Sequence, residues 1–103
     1  MTVTVSFVKP RGVASLCSPG IGFCRVAEDL ALTETTTASR EEGETVIVAN
    51  GETSMIRVAF GTTPDAATGT ATSATSAGVP IPAGLSMVFV PVNGDKFNVK
   101  ALA

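Results

Sequence analysis

Asn93-Gly94 lies between Gly84-Leu-Ser-Met-Val-Phe-Val-Pro-Val92 and Asp95-Lys-Phe-Asn-Val-Lys-Ala101, and it constrains this chain more than any other feature. A two-residue type I′ turn needs positive φ at both central positions, which Asn-Gly supplies most readily. Folding about that turn sets Val90 against Phe97 and Val88 against Val99 on one face. It sets Phe89 against Asn98 and Met87 against Lys100 on the other. One face is wholly apolar and the other mixed, the pattern of a half-buried antiparallel ribbon. The class is β.

The rest of the chain reads the same way. Residues 2–8 alternate, with Val3, Val5 and Phe7 on one face. Residues 9–24 are punctuated by Pro10, Gly12, Pro19, Gly20 and Gly22 and read as a long loop or arm. Residues 25–32 fit either a short helix or a strand. A Thr-rich extended stretch follows over 33–39, then a polar turn over 40–43. Residues 45–49 form a strand that Asn50-Gly51 turns into a second one over 54–60. A strict two-residue loop there places Val46 opposite Met55; a three-residue loop with a bulge brings Val46 opposite Ile56 and is preferred. Residues 62–78 are almost wholly Thr, Ala, Ser and Gly without an apolar period. They read as a long flexible loop or a surface arm, with pairing to a neighbouring subunit as the alternative. Residues 78–84 form a short edge strand, because Pro80 and Pro82 each remove a ladder donor.

About six to eight short strands imply an all-β fold, a small antiparallel β-sandwich or barrel, jelly-roll-like arrangements included, with long loops or arms. Its 103 residues make a single β domain over 1–103. Apolar residues reach 45%, yet the aromatics are five Phe with no Trp or Tyr, so Ala and Val dominate and suit thin sheets more than a deep pocket.

The net charge of −2 is unevenly spread. Lys9, Arg11 and Arg25 stand without an acid in the first 25 residues, whereas Glu28, Asp29, Glu34, Glu41, Glu42, Glu44 and Glu52 face Arg40 alone. Solvated loop charges are the favoured reading; head-to-tail docking of copies, or docking on a charged partner, is the sharper one. No basic cluster and no Tyr or Trp platform supports nucleic-acid binding. The apolar runs are strand-sized, too short for a membrane helix. The first ten residues alternate with period two and read as a strand, not a signal peptide. Ala14-Ser-Leu-Cys17 has its Leu adjoining the Cys, wrong for a lipoprotein box, so synthesis in the cytosol without export is expected.

Chemistry is sparse. With no His, the usual general acid–base residue and pH switch are missing. No nucleophile elbow, phosphate-binding glycine loop or calcium loop is present. Glu41, Glu42 and Glu44 are the one carboxylate cluster and could hold a divalent cation, but a solvated polar turn is the favoured reading. Gly20-Ile-Gly22 reads as a bend. Cys17 and Cys24 enclose six residues; a disulfide is geometrically feasible, though a cytosolic origin favours free thiols. Two thiols without His do not complete a usual zinc site. The expectation is therefore a protein that is not an enzyme, with no catalytic, cofactor-binding or metal-ligating residues, no cofactor and no small-molecule substrate.

Ile56-Arg-Val-Ala-Phe-Gly-Thr-Thr-Pro-Asp-Ala66, then Ala77-Gly-Val-Pro-Ile-Pro-Ala-Gly84, then Gly94-Asp-Lys-Phe-Asn-Val-Lys-Ala101 resemble small tailed-bacteriophage proteins encoded near capsid genes. The resemblance spans roughly residues 44–103 and leaves 1–43 outside it. It implies a virion component, a capsid decoration or cement protein of small-β architecture, with the major capsid protein as partner. The family pattern carries no catalytic residue. Self-association as a dimer or trimer through exposed edges is expected beside it. A tail, neck or fibre-attachment component is the rival within the virion, and a non-catalytic ligand- or glycan-binding β module the rival outside it.

Overall fold

The computed structural model describes residues 2–13 and 19–102, and they contain strands and irregular connections with no helix. Seven strands follow in order: β1 Val3–Val13, β2 Pro19–Leu30, β3 Thr45–Asn50, β4 Ile56–Gly61, β5 Val79–Ile81, β6 Ser86–Phe89 and β7 Lys96–Ala101. They form two antiparallel sheets, ordered β2-β1-β3-β6 and β5-β4-β7. The all-β class and the antiparallel two-sheet arrangement are as the sequence implies.

Period-two alternation builds the core. Val3, Val5 and Phe7 of β1, Val46 and Val48 of β3 and Phe89 of β6 point inward from one sheet. Ile56 and Val58 of β4, Ile81 of β5 and Phe97 and Val99 of β7 meet them from the other. Phe97 is the hub, with its ring centroid 6.1 Å from Phe7, 5.5 Å from Phe60 and 5.6 Å from Phe89. Two rings come from each sheet, so the cluster stitches the layers together. Each such pair adds about 0.5–1.5 kcal/mol beyond the area it buries.

Both Asn-Gly turns connect different sheets, which corrects the two hairpins expected from them. Val88 pairs with Ile47 and Phe97 with Phe60, so neither Val90–Phe97 nor Val88–Val99 is a cross-strand pair. A turn forms at the expected place but not of the expected type I′: Gly94 has φ +89° while Asn93 keeps a negative φ, a type II pattern, and Asp95 N donates to the Val92 carbonyl at 3.2 Å. Its polar groups, however, bind a third segment. Gly94 N donates to the Arg40 carbonyl at 2.9 Å and Arg40 N to the Asp95 carbonyl at 2.8 Å, while the Arg40 guanidinium donates to Asn93 Oδ1. Pro91, which has no N–H, cannot extend a ladder from β6 into the turn.

At the other turn, Val46 pairs with Phe7 and Phe89, and Ile56 with Ile81 and Ala101, so Val46 does not face Ile56. Asn50 is buried and acts as a junction. Its Nδ2 donates to the Ile81 carbonyl at 2.9 Å and the Ser54 carbonyl at 3.1 Å, and its Oδ1 accepts from Glu52 N at 2.9 Å. Gly51 is required by close approach: its N donates to the Thr2 carbonyl, and a Cβ would collide with that oxygen.

The ambiguous stretch after residue 24 is strand through Leu30, and residues 9–24 are not a plain loop. Lys9–Val13 prolong β1 and Pro19–Cys24 prolong β2, with register shifts after Phe7, Lys9 and Pro10, so the two strands make an irregular hairpin. The Gly20-Ile-Gly22 bend thus lies within β2.

The connection from β2 to β3 is a strap along the free edge of β7. Thr36 N donates to the Phe97 carbonyl at 2.8 Å, the Thr36 hydroxyl accepts from Phe97 N at 3.0 Å, and Thr33 N donates to the Val99 carbonyl at 2.7 Å. Residues 62–78 are irregular, as expected, but folded back on their own sheet. Ala66 is fully buried, its N donates to Asn98 Oδ1 at 2.9 Å, and Ser76 N donates to the Phe60 carbonyl at 2.7 Å. This loop covers the outer face of β5-β4-β7, where Ala59 and Asn98 form a buried cross-strand pair.

Candidate functional surface

The acidic cluster is taken up by the fold. Glu44 closes a turn with Glu41, its N donating to the Glu41 carbonyl at 3.1 Å, and that turn aims its carboxylate at β2. There Arg25 Nε donates to Oε2 at 2.7 Å and Nη2 to Oε1 at 3.1 Å, while Glu41 N donates to Oε1 at 2.9 Å. The Glu44 side chain has 0% exposure and that of Arg25 28%, which corrects the reading of all three carboxylates as solvated. Arg25 also lies over the Phe7 ring at 5.6 Å and reaches the Glu41 carboxylate at 3.4 Å. The Arg25 guanidinium outweighs burial and holds the Glu44 carboxyl below the usual carboxylate range. The site is structural: it ties the strap to β2 beneath the hairpin. Among the described residues no three of Cys, Asp and Glu gather as an ion site.

Glu28 acts similarly, accepting from Thr37 N at 2.9 Å and Ala38 N at 2.7 Å. Glu28, Glu41 and Glu44 of the acidic middle are therefore wiring between β2 and the strap. Cys24 is exposed on β2; its pairing with Cys17 lies outside the described residues.

An open groove of about 270 Å³ separates Phe60, Val92 and Asp95 from Thr72, Ser73 and Thr75. Its Asp95 and Thr75 side chains already have partners. Asp95 Oδ2 accepts from Val92 N at 3.1 Å, and Thr75 Oγ1 accepts from Asp65 N at 2.9 Å.

What stands out is the edge at β6. Three of the four sheet edges are managed in ways that discourage further pairing. β5 is three residues long and contains Pro80; β7 is covered by the strap; β2 carries Arg25, Glu28 and Asp29. β6 is also short, at four residues, and Pro91 follows it, but within Ser86–Phe89 it has no proline, no charged residue and, among the described residues, no covering segment. Val88 is 65% exposed, and Val90 and Val92 beyond it are 73% and 69% exposed, with Leu85 and Met87 also open. The adjoining outward positions on β3 and β1 are uncharged too, in the rows Ser6–Ile47–Val88 and Thr4–Ala49–Ser86, and the first charge along them is Asp29 on β2 at the far edge. Sequence reasoning placed Val88 and Val90 in the core because it paired them with β7. The signal that identifies the surface is elsewhere: from Ala66 to Gly94 the chain contains no charged residue. A second exposed apolar side chain, Phe23, stands at 58% exposure on the β1–β2 hairpin near Lys9.

No protein-family model matches this chain, and neither a curated protein nor a solved structure does.

Proposed function

We propose that this chain is a non-catalytic structural protein that works by adhering to other proteins, as a decoration or cement protein on the outside of a phage capsid. The observation that carries the adhesive part is the open β6 edge, with Val88, Val90 and Val92 exposed on an uncharged surface. Contiguous apolar surface of this kind marks a protein contact site. The capsid part comes from the resemblance of residues 44–103, with the major capsid protein as partner. A cement protein gains its hold from modest contacts multiplied by symmetry, so it needs presented surface more than a pocket. The hairpin carrying Phe23 and Lys9 offers a second contact.

The test is co-sedimentation of the protein with intact particles and measurement of its ratio to the main shell protein. A ratio comparable to the shell protein's is expected. A ratio far lower would move the protein to the tail or neck, and absence from particles would overturn the virion role.

A further inference from the structure

Antiparallel sheets end in rows of unpaired N–H and C=O groups, and a strand that is neither covered nor charged pairs with another strand. β6 is that strand, and its surroundings indicate which partner it suits. An interface between copies of one chain is self-complementary, so any charge near the axis meets its like. Here the chain is uncharged from Ala66 to Gly94, and the neighbouring outward positions on β3 and β1 are Ile47, Ala49, Thr4 and Ser6. A second copy, itself of net charge −2, meets no like charge on this surface. A partner recognised through its charges finds nothing here to bind.

We infer that two copies associate edge to edge through β6, antiparallel about a two-fold axis, so that β2-β1-β3-β6 of one continues into the same sheet of the other. A two-fold perpendicular to a strand sets it antiparallel to its own copy, the geometry in which two-residue rings of hydrogen bonds form. Val88 then stands beside the partner's outward side chains across the new strand pair, where each covers one flank of the other. A standard stable interface buries about 1,600 Å² in total, and a four-residue strand with its flanks covers less. The dimer is accordingly concentration-dependent, and it gains strength where copies are held side by side. The inference rests on the reading of this chain as an adhesive scaffold, but not on its place in a virion.

Sedimentation velocity of the purified protein over a wide concentration range tests it. The expected result is a shift from monomer to dimer with rising concentration. Val88→Lys should abolish the shift with an unchanged melting temperature, because the side chain is exposed. Phe23→Lys, on the hairpin, should leave the shift intact. Amide exchange over residues 86–90 should slow at high concentration in the wild type and not in the Val88→Lys variant. A wild-type monomer throughout, a trimer, a dimer that survives Val88→Lys or one lost on Phe23→Lys would each overturn the proposal. The monomeric Val88→Lys variant separates this from the capsid role: particle binding that persists without dimers upholds the latter alone, and loss of both ties them together.

Discussion

Glu44 is charged without solvent contact because Arg25 meets it with two hydrogen bonds. Removing one partner from a buried pair leaves an uncompensated charge, so Arg25→Leu should cost about 3 kcal/mol in urea unfolding. The pH dependence has a definite sign. The folded state lowers the Glu44 pKa, so its stabilisation is full above the unfolded value of about 4.3 and is lost as pH falls through the folded value. Melting temperature should fall with acidification in the wild type. In Arg25→Leu the Glu41 N hydrogen bond and Lys9 still favour the charged Glu44 against its burial, but the largest lowering influence is gone, so this group's contribution and the acid loss both shrink. Thr33 is a second informative residue: it is exposed, β-branched and held at φ +79°. Asn tolerates the left-handed region better, so Thr33→Asn should raise stability by about 1 kcal/mol in the same assay. Neither feature is written in local sequence, because Arg25 and Glu44 are distant in the chain and Thr33 sits in an unremarkable Thr-rich run.

At the scale of elements, Asn98 is where three segments meet. Its Nδ2 donates among the Thr33 carbonyl, the Glu34 carbonyl and Thr35 Oγ1, and its Oδ1 accepts from Ala66 N. Asn98→Ala strands several buried polar groups and should cost about 2–3 kcal/mol. Hydrogen exchange should accelerate at residues 33–36 and at Ala66 before the sheets open, the mark of a strap and a loop released together. Sequence alternation located β1, β3, β4 and β7 well, because an inward row of Val, Ile and Phe is a local property. It misassigned β6, whose inward residue is Phe89 while Val88 faces solvent. Period two fixes which residues share a face but not which face is buried, and a wrong partner strand reverses the choice.

For the whole molecule, consecutive strands change sheets three times, from β3 to β4, β5 to β6 and β6 to β7. Such non-local pairing makes folding slow, so stopped-flow refolding monitored by far-ultraviolet circular dichroism should fall in the millisecond-to-second range. A submillisecond phase carrying the full amplitude would contradict the topology. The asymmetry between sheets has the same origin: residues 62–78 cover the outside of β5-β4-β7, and nothing among the described residues covers the β6 side of the other sheet. By itself, the sequence determined the strand class, the place of a turn at Asn93-Gly94, the inward rows of β1, β3, β4 and β7 and the weak edge at Pro80, since each depends on residues within a few positions. Tertiary structure alone decided which strands pair, that Glu44 is buried against Arg25, and that Val88 and Val90 are surface. Those outcomes depend on long-range competition for hydrogen bonds, as when Arg40 takes the turn groups a hairpin would have used.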